Sequence, residues 1–371
     1  AAGVFTVWAL LKSELRLEDP KLELIEEQKY SIRLFPFTIG LFFTVICFLA
    51  FSGNRFTSFN VFLWGMTLLL MLLAFSQQEV GDGTSRAWRW LRSHAAFPTL
   101  KLLITPRILG VITVILLVLF FRFYQLSQVP GEMFSDHAEK LLDVADVLSG
   151  ERSIFFPRNT GREAFQMYLT AWIAEWFGTG LTFMSLKLGT VLCGVVTLPY
   201  VYLLGRELGG RRVALFALLL CGIAYWPNVI SRVGLRFPLY ALFTAPTLYH
   251  LIRGLRSNQI RQFIFSGIFL GIGLHGYSPM RIIPFIILIV VVIFLLHKQS
   301  KGRRWQTITA VMVLALFALV VFLPLLRYMS EDPQMFVFRA LTRMGTTERD
   351  FPGNPKINFL DNLWKELIMF F

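Results

Sequence analysis

RIIPFIILIVVVIFLLH, residues 281–297, decides the class of fold. No side chain between Arg281 and His297 can ionise or donate a hydrogen bond. A hydrocarbon core about 30 Å thick takes a helix of roughly 17–25 such residues. Lipid offers no partner to backbone N–H and C=O groups, so a run of this kind is read as a membrane helix. Working outward, comparable runs occupy 34–52, 58–76, 108–126, 184–204, 213–230, 237–254, 262–277 and 306–327. The fourth of the nine carries Lys187 near its start, and 262–277 is short and rich in glycine. The fold class expected is an all-α polytopic membrane protein with about nine transmembrane helices in these 371 residues, plus interfacial helices in a long first outer loop.

Composition agrees. The chain is 55% hydrophobic and 16% charged, against about 25% charged in soluble domains. Mean hydropathy is +0.60. An ordinary cytosolic enzyme, a disordered chain and a disulfide scaffold are excluded. The net charge of +13 would suggest nucleic acid in a soluble protein. In a membrane protein it reads as the excess of Lys and Arg in cytoplasmic loops, and no nucleic-acid partner is expected. Cys47, Cys193 and Cys221 all lie in apolar runs without metal-ligand spacing, so neither a disulfide nor thiol chemistry is expected. Residues 1–33 carry too many charges to hold the apolar core of a cleavable signal peptide.

The loops set an orientation. Arg86, Arg89, Arg92, Lys101 and Arg107 fall in 77–107, and Arg206, Arg211 and Arg212 in 205–212. Arg253, Arg256 and Arg261 fall in 253–261, and Lys298, Lys301, Arg303 and Arg304 in 298–305. These loops alternate with basic-poor ones, which puts them and the N-terminus in the cytoplasm. Segments 53–57, 127–183, 231–236, 278–280 and 328–371 then face outward. The parity requires that AFQMYLTAWIAEWF (164–177) lie on the outer surface rather than cross. Residues 1–106 read as an accessory two-helix hairpin with a basic cytoplasmic loop, and 107–371 as the main body.

The outer loop 127–183 holds the candidate chemistry. Within SQVPGEMFSDHAEKLLDVADVLSGERSIFFPRNTGRE (127–163), residues 137–148 read as an amphipathic helix ended by Gly150. Asp136, Glu139, Asp143 and Asp146 form an acidic stripe with the spacing of a solvated face. Asp136 reads as the helix N-cap, with Glu139 closing a capping box. A carboxylate at a helix start near the headgroups is equally placed to act as a general base.

Basic residues on the outer side are the informative ones. Arg232 and Arg236 lie in SRVGLRFP, Arg281 in GYSPMRIIPF, and Arg158 and Arg162 in the long loop. Guanidinium groups at headgroup depth fit a phosphate clamp or, more blandly, snorkel against lipid phosphates. His137, His275 and Glu163 are candidate ligands for a divalent metal ion, the one cofactor the residues admit, although their spacing is no signature. His94, His250 and His297 read as flanking residues. GIGLHG (271–276) has no preceding strand, so its glycines read as helix packing rather than a dinucleotide fingerprint.

In this order the motifs resemble the superfamily C glycosyltransferases (GT-C). More specifically, they resemble the dolichyl-phosphate-mannose protein mannosyltransferase and aminoarabinose transferase-like family, also called glycosyltransferase family 39. RFYQLSQVPGEMFSDHAEK, FFPRNTGREAFQMYLTAWIAEWFG, YLLGRELGGRRVALFALLL, SRVGLRFPLYALF, GLHGYSPMRIIPF and FLPLLRYMSEDPQMFVFRA carry the likeness, from about Arg122 to about Gly345. The resemblance implies that Asp136 is the base on the acceptor hydroxyl. It implies substrate or metal contacts at Glu163, and donor phosphate or sugar contacts at Arg162, Arg232, Arg236, Tyr277 and Arg281. His137 stands where the family usually has Glu, and Glu139 can substitute one turn on. Arg236 and Phe237 stand where many relatives have a second acid. The hairpin 1–106 has no counterpart in the minimal family core, and the family normally continues beyond position 371 with more spans.

The function expected is inverting transfer of a sugar from a polyprenyl-phosphate donor to an acceptor hydroxyl of a protein, lipid or glycan, on the outer face of the cell membrane. The chain would sit among membrane lipids, alone or within a larger membrane complex. The rival is a non-catalytic assembly subunit on the same scaffold. A transporter fits less well, because no span centre carries an acid.

Overall fold

The computed structural model describes residues 30–76, 106–159, 161–297, 300–336, 338 and 354–369. The basic loop 77–107 and His94 therefore lie almost wholly outside the described residues. The chain divides into two compact units, one of residues 29–336 and one of residues 1–28 with 337–371. In the second unit the described element is a helix, Pro355–Met369, with exposed Ile357, Phe359, Leu360, Trp364 and Ile368 and an Asp361–Lys365 ion pair of 2.6 Å.

The first unit is helical. Its elements are α1 (Leu34–Ala50), α2 (Ser58–Phe75), α3 (Pro106–Phe123), α4 (Ser135–Leu148), β1 (Phe155–Phe156), β2 (Arg162–Glu163) and α5 (Phe165–Trp176). Then come α6 (Phe183–Ile223), α7 (Tyr225–Arg232), α8 (Phe237–Ser257), α9 (Ile260–Leu274), a 3-10 turn (Ser278–Ile282), α10 (Ile283–Leu296) and α11 (Arg304–Glu331). Among the described residues, Ser58–Phe75, Phe183–Ile223, Ser278–Leu296 and Arg304–Glu331 are long and apolar enough to cross a membrane. Leu34–Ala50, Leu109–Phe123 and Ile260–Leu274 are apolar but shorter. α8 lies outside both sets, with His250, Arg253 and Arg256 in its last two turns. Phe35, Leu116, Phe285 and Leu296 are exposed on these helices, a display that only lipid or a partner surface tolerates.

The predicted loop 205–212 is a tight turn. α6 is non-helical only at Gly209 and Gly210, and Gly210 has φ +77°. A Cβ on Gly205 would lie 3.0 Å from Ala214 Cα, and one on Gly194 2.8 Å from Ser231 Cβ, so the chain folds straight back on itself. α5 has 12 residues, about 18 Å of helix, too short to cross. It starts beside His275 (Phe165 N to His275 O, 3.2 Å). The next helix, α6, starts at the same end, where Lys187 Nζ reaches Leu126 O (2.8 Å) and Pro130 O (2.6 Å). The chain therefore does not change ends between α3 and α6 by way of α5. This end, with residues 124–163, is called the loop end below.

α9 and α11 approach closely. A Cβ on Gly267 would stand 2.3 Å from Leu314 O, and one on Gly271 2.5 Å from Val321 Cβ. The small-residue reading of the glycine motif holds, one turn earlier than GIGLHG as well. Pro324 lies inside α11 and cannot donate to Val320 O. Trp64 Nε1 of α2 donates to that carbonyl at 2.8 Å, and His275 Nε2 donates to Val321 O at 3.1 Å. At the opposite end, Tyr30 Oη donates to Asn258 Oδ1 (2.8 Å), and Asn258 Nδ2 donates to Gln306 Oε1 (2.7 Å).

Candidate functional site

α4 begins one residue before Asp136. Its N-cap is Phe134, whose amide donates to His137 Nδ1 at 3.2 Å. Asp136 sits in the first turn and is not the cap, and Glu139 closes no box. The local pattern identified the helix start, but a burial-driven histidine took the capping role. Asp136 is half-buried, and its carboxylate accepts from Asn159 Nδ2 at 3.2 Å. A negative group in a first turn is favoured by the helix dipole.

His137 is fully buried, and both ring nitrogens are engaged: Nε2 lies 2.6 Å from Val233 O. Because Nδ1 accepts from an amide, Nε2 carries the proton and the ring is neutral. Burial pushes it below its ordinary value of 6.5, the Val233 contact opposing.

The acidic stripe is not a solvated face. Arg162, fully buried, donates to Asp143 Oδ2 (2.8 Å) and to Glu139. Arg158 donates to Asp143 Oδ1 (3.0 Å) and to Asp146. Burial lifts the Asp143 carboxyl above its usual value although both arginines pull it down. Arg162, expected at the donor, thus faces α4. The turn that aims it needs Gly161: φ is +82°, and a Cβ would stand 2.5 Å from the Phe155 ring.

Next along β2, Glu163 points the other way. It is fully buried. Its Oε2 accepts from Arg236 Nη1 (2.7 Å), and its Oε1 from Arg281 Nη2 (3.0 Å) and Ser278 Oγ (2.8 Å). Arg236 is buried and lies over the Tyr277 ring, 5.4 Å from its centroid. The Arg281 side chain is 27% exposed, enough to reach a ligand, and stacks 3.9 Å from the Phe336 ring. So Glu163, Arg236, Tyr277 and Arg281, four residues expected at the site, come together. Ser278, in the same motif as Arg281, joins them unforeseen.

Arg232 stands elsewhere. Its guanidinium donates to Phe121 O (2.9 Å), Tyr124 O (2.7 Å) and Val129 O (3.2 Å), capping the end of α3. The segment after it ties the two groups of residues together. Val233 O holds His137, Gly234 O accepts from Gln166 Nε2 (2.9 Å), and Arg236 holds Glu163.

The metal reading does not fit these residues. No group of three or more His, Cys, Asp or Glu among the described residues is placed to hold an ion. His137 spends both nitrogens on backbone, His275 spends Nε2 on Val321, and both Glu163 oxygens serve cations. A cavity of about 440 Å³ is lined by Phe56, Trp64, Ala164, Tyr168, His275 and Val321, among others, and Glu163 is not in its lining.

Residues 165–328 match the sequence model of the dolichyl-phosphate-mannose-protein mannosyltransferase family. Over that segment, which is less than half of the chain, the sequence is similar to that family. No curated protein and no solved structure matches it. The match to the mannosyltransferase family carries a coarse function, a membrane glycosyltransferase of the GT-C type. It takes in Arg232, Arg236, His275, Tyr277 and Arg281. Asp136, Glu139, Arg162 and Glu163 precede it, as do α1 and α2.

Proposed function

We propose that this protein is a member of the mannosyltransferase family and that it moves a sugar from a polyprenyl-phosphate donor to an acceptor hydroxyl at the loop end, which faces out of the cytoplasm. The acceptor oxygen attacks the anomeric carbon, and the bond from that carbon to the phosphate oxygen breaks. The polyprenyl phosphate leaves with the electron pair, and Asp136 takes the hydroxyl proton. A single displacement inverts the anomeric centre. The observation that carries the reading is the pair of guanidiniums, Arg236 and Arg281, converging on Glu163 and joined to the Asp136 helix by residues 233–236. Glu163 fixes the two guanidiniums and leaves a net positive site. Arg281, the more exposed, meets the phosphate and offsets its growing charge. Glu139, engaged by Arg162, supports the loop rather than acting on the proton.

The test is sugar transfer by the full chain in liposomes with a radiolabelled polyprenyl-phosphate sugar. A general base contributes about 10²–10⁴-fold, so Asp136→Asn should lower turnover by at least about tenfold with thermal stability retained. Arg281→Gln should raise the KM for donor more than it lowers kcat. Full activity of Asp136→Asn removes the base assignment. A second reading, a non-catalytic assembly subunit, draws on the engagement of both guanidiniums by Glu163. It predicts no transfer by the wild type with any donor, and co-purification with a partner enzyme.

A further inference from the structure

Glu163 lies in a ribbon that cannot hold itself. β1 and β2 have two residues each, paired antiparallel with Phe155 opposite Glu163 and Phe156 opposite Arg162. Even a full two-stranded hairpin is marginal in water, and three strands are the usual minimum. The other edge of β1 is taken by the turn of the N-terminal hairpin. Asn54 acts as a surrogate strand residue: its Nδ2 donates to Phe155 O and its Oδ1 accepts from Phe155 N, both at 2.8 Å. Around it Ile154 N donates to Asn54 O (3.2 Å), Phe56 N donates to Arg152 O (2.7 Å), and Arg55 bridges Ser153 antiparallel.

The turn is built to make this fit. Gly53 (φ +79°) and Asn54 (φ +53°) are successive left-handed residues, a conformation that Gly and Asn accept most readily. The Glu331 carboxylate at the end of α11 receives the Gly53 amide at 3.1 and 3.2 Å. Below it, Trp64 fastens α2 to the carbonyl that Pro324 leaves open. One row of contacts then runs from Asn54 through Phe155 to Glu163, and from Glu163 to Arg236 and Arg281.

We propose that the turn at residues 53–56 takes the place of a third strand at the open edge of this ribbon and that Asn54 is a positioning residue for Glu163, acting through Phe155. The part of the chain outside the family match would then be a component of the site. The inference rests on the proposed function only for the reaction that Glu163 serves.

The experiment compares wild type, Asn54→Gly and Asn54→Asp, as full chains in nanodiscs. Asn54→Gly keeps the left-handed backbone without strain and removes both side-chain bonds. Asn54→Asp keeps only the acceptor for Phe155 N. Hydrogen exchange of amides 153–163 should rise about tenfold in Asn54→Gly and less in Asn54→Asp, while α1 and α9 exchange as in the wild type. With a polyprenyl-phosphate sugar, the KM for donor should rise in the same order. Unchanged exchange at 153–163 in Asn54→Gly overturns the proposal. So does a rise shared equally by α1 and α9, which means general loosening. If the wild type transfers no sugar, the functional reading fails while exchange still decides this one.

Discussion

At the scale of single residues, charge burial sets the consequences. Arg236 and Glu163 are both buried, and breaking a buried pair from one side typically costs about 3–5 kcal/mol, because the remaining charge is stranded. Glu163→Gln should therefore lower the thermal unfolding midpoint clearly. Arg281, partly exposed, adds little to that loss, because solvent screens it. Glu163→Leu combined with Arg236→Met should recover most of the midpoint, and a double variant no better than Glu163→Gln would show that the pair is not what is lost. His137 makes a second, signed prediction. Its folded value lies below 6.5. As pH falls through 6.5, the unfolded chain binds a proton that the folded one refuses. The stabilisation is thus complete above 6.5 and declines below it. Unfolding midpoints at pH 7.5 and 5.5 should differ by more in the wild type than in His137→Asn, and equal differences would contradict the buried neutral ring. The residue types at this end were legible in the sequence, but their pairings were not. Asp143 on the stripe and Arg162 nineteen residues on look solvated until the Gly161 turn folds one onto the other. Nothing local distinguishes Arg232, spent on α3 carbonyls, from Arg236, four residues away on Glu163.

Single elements show what a helix break is used for. Pro324 frees Val320 O inside α11, and Trp64 supplies the missing donor from α2. In an apolar surrounding an unfilled carbonyl is costly, whereas measured interhelical hydrogen bonds in membranes average about 0.6 kcal/mol. Trp64→Phe keeps the ring and removes the N–H, and should destabilise by on the order of 1 kcal/mol. Pro324→Ala restores an in-helix donor for the same carbonyl, so Trp64→Phe should cost less in that background. Equal costs in both backgrounds, read from denaturation midpoints in detergent, would mean that the contact is packing alone. Element positions were largely legible because hydropathy is a local property. α1, α2, α3, α8, α9, α10 and α11 fall where the apolar runs lie. α4 runs from Ser135 to Leu148, with Gly150 in the left-handed conformation (φ +101°) just beyond it. The arginines of 205–212 suggest a loop of eight residues, whereas two glycines suffice to reverse the chain.

For the whole molecule, the decisive variable is which end of the helices faces out, since a lipid-borne sugar and a general base must meet on one side. Reversals at 51–57, 209–210 and 258–259 put the helix ends in alternation, and α5 does not disturb it. The loop end carries Asp136, Glu163 and the ribbon, and the opposite end carries Arg206, Arg211, Arg253, Arg256 and Arg303. Lys and Arg flanking short loops orient membrane chains with their positive ends in the cytoplasm. Single-cysteine variants in a background lacking Cys47, Cys193 and Cys221 read this directly. Gln128→Cys and Glu151→Cys should react with a membrane-impermeant maleimide in intact cells. Ser257→Cys and Lys301→Cys should react only after permeabilisation. The reverse pattern would place Asp136 in the cytoplasm and remove the outward-facing donor site, while leaving every helix, ion pair and hydrogen bond described above in place.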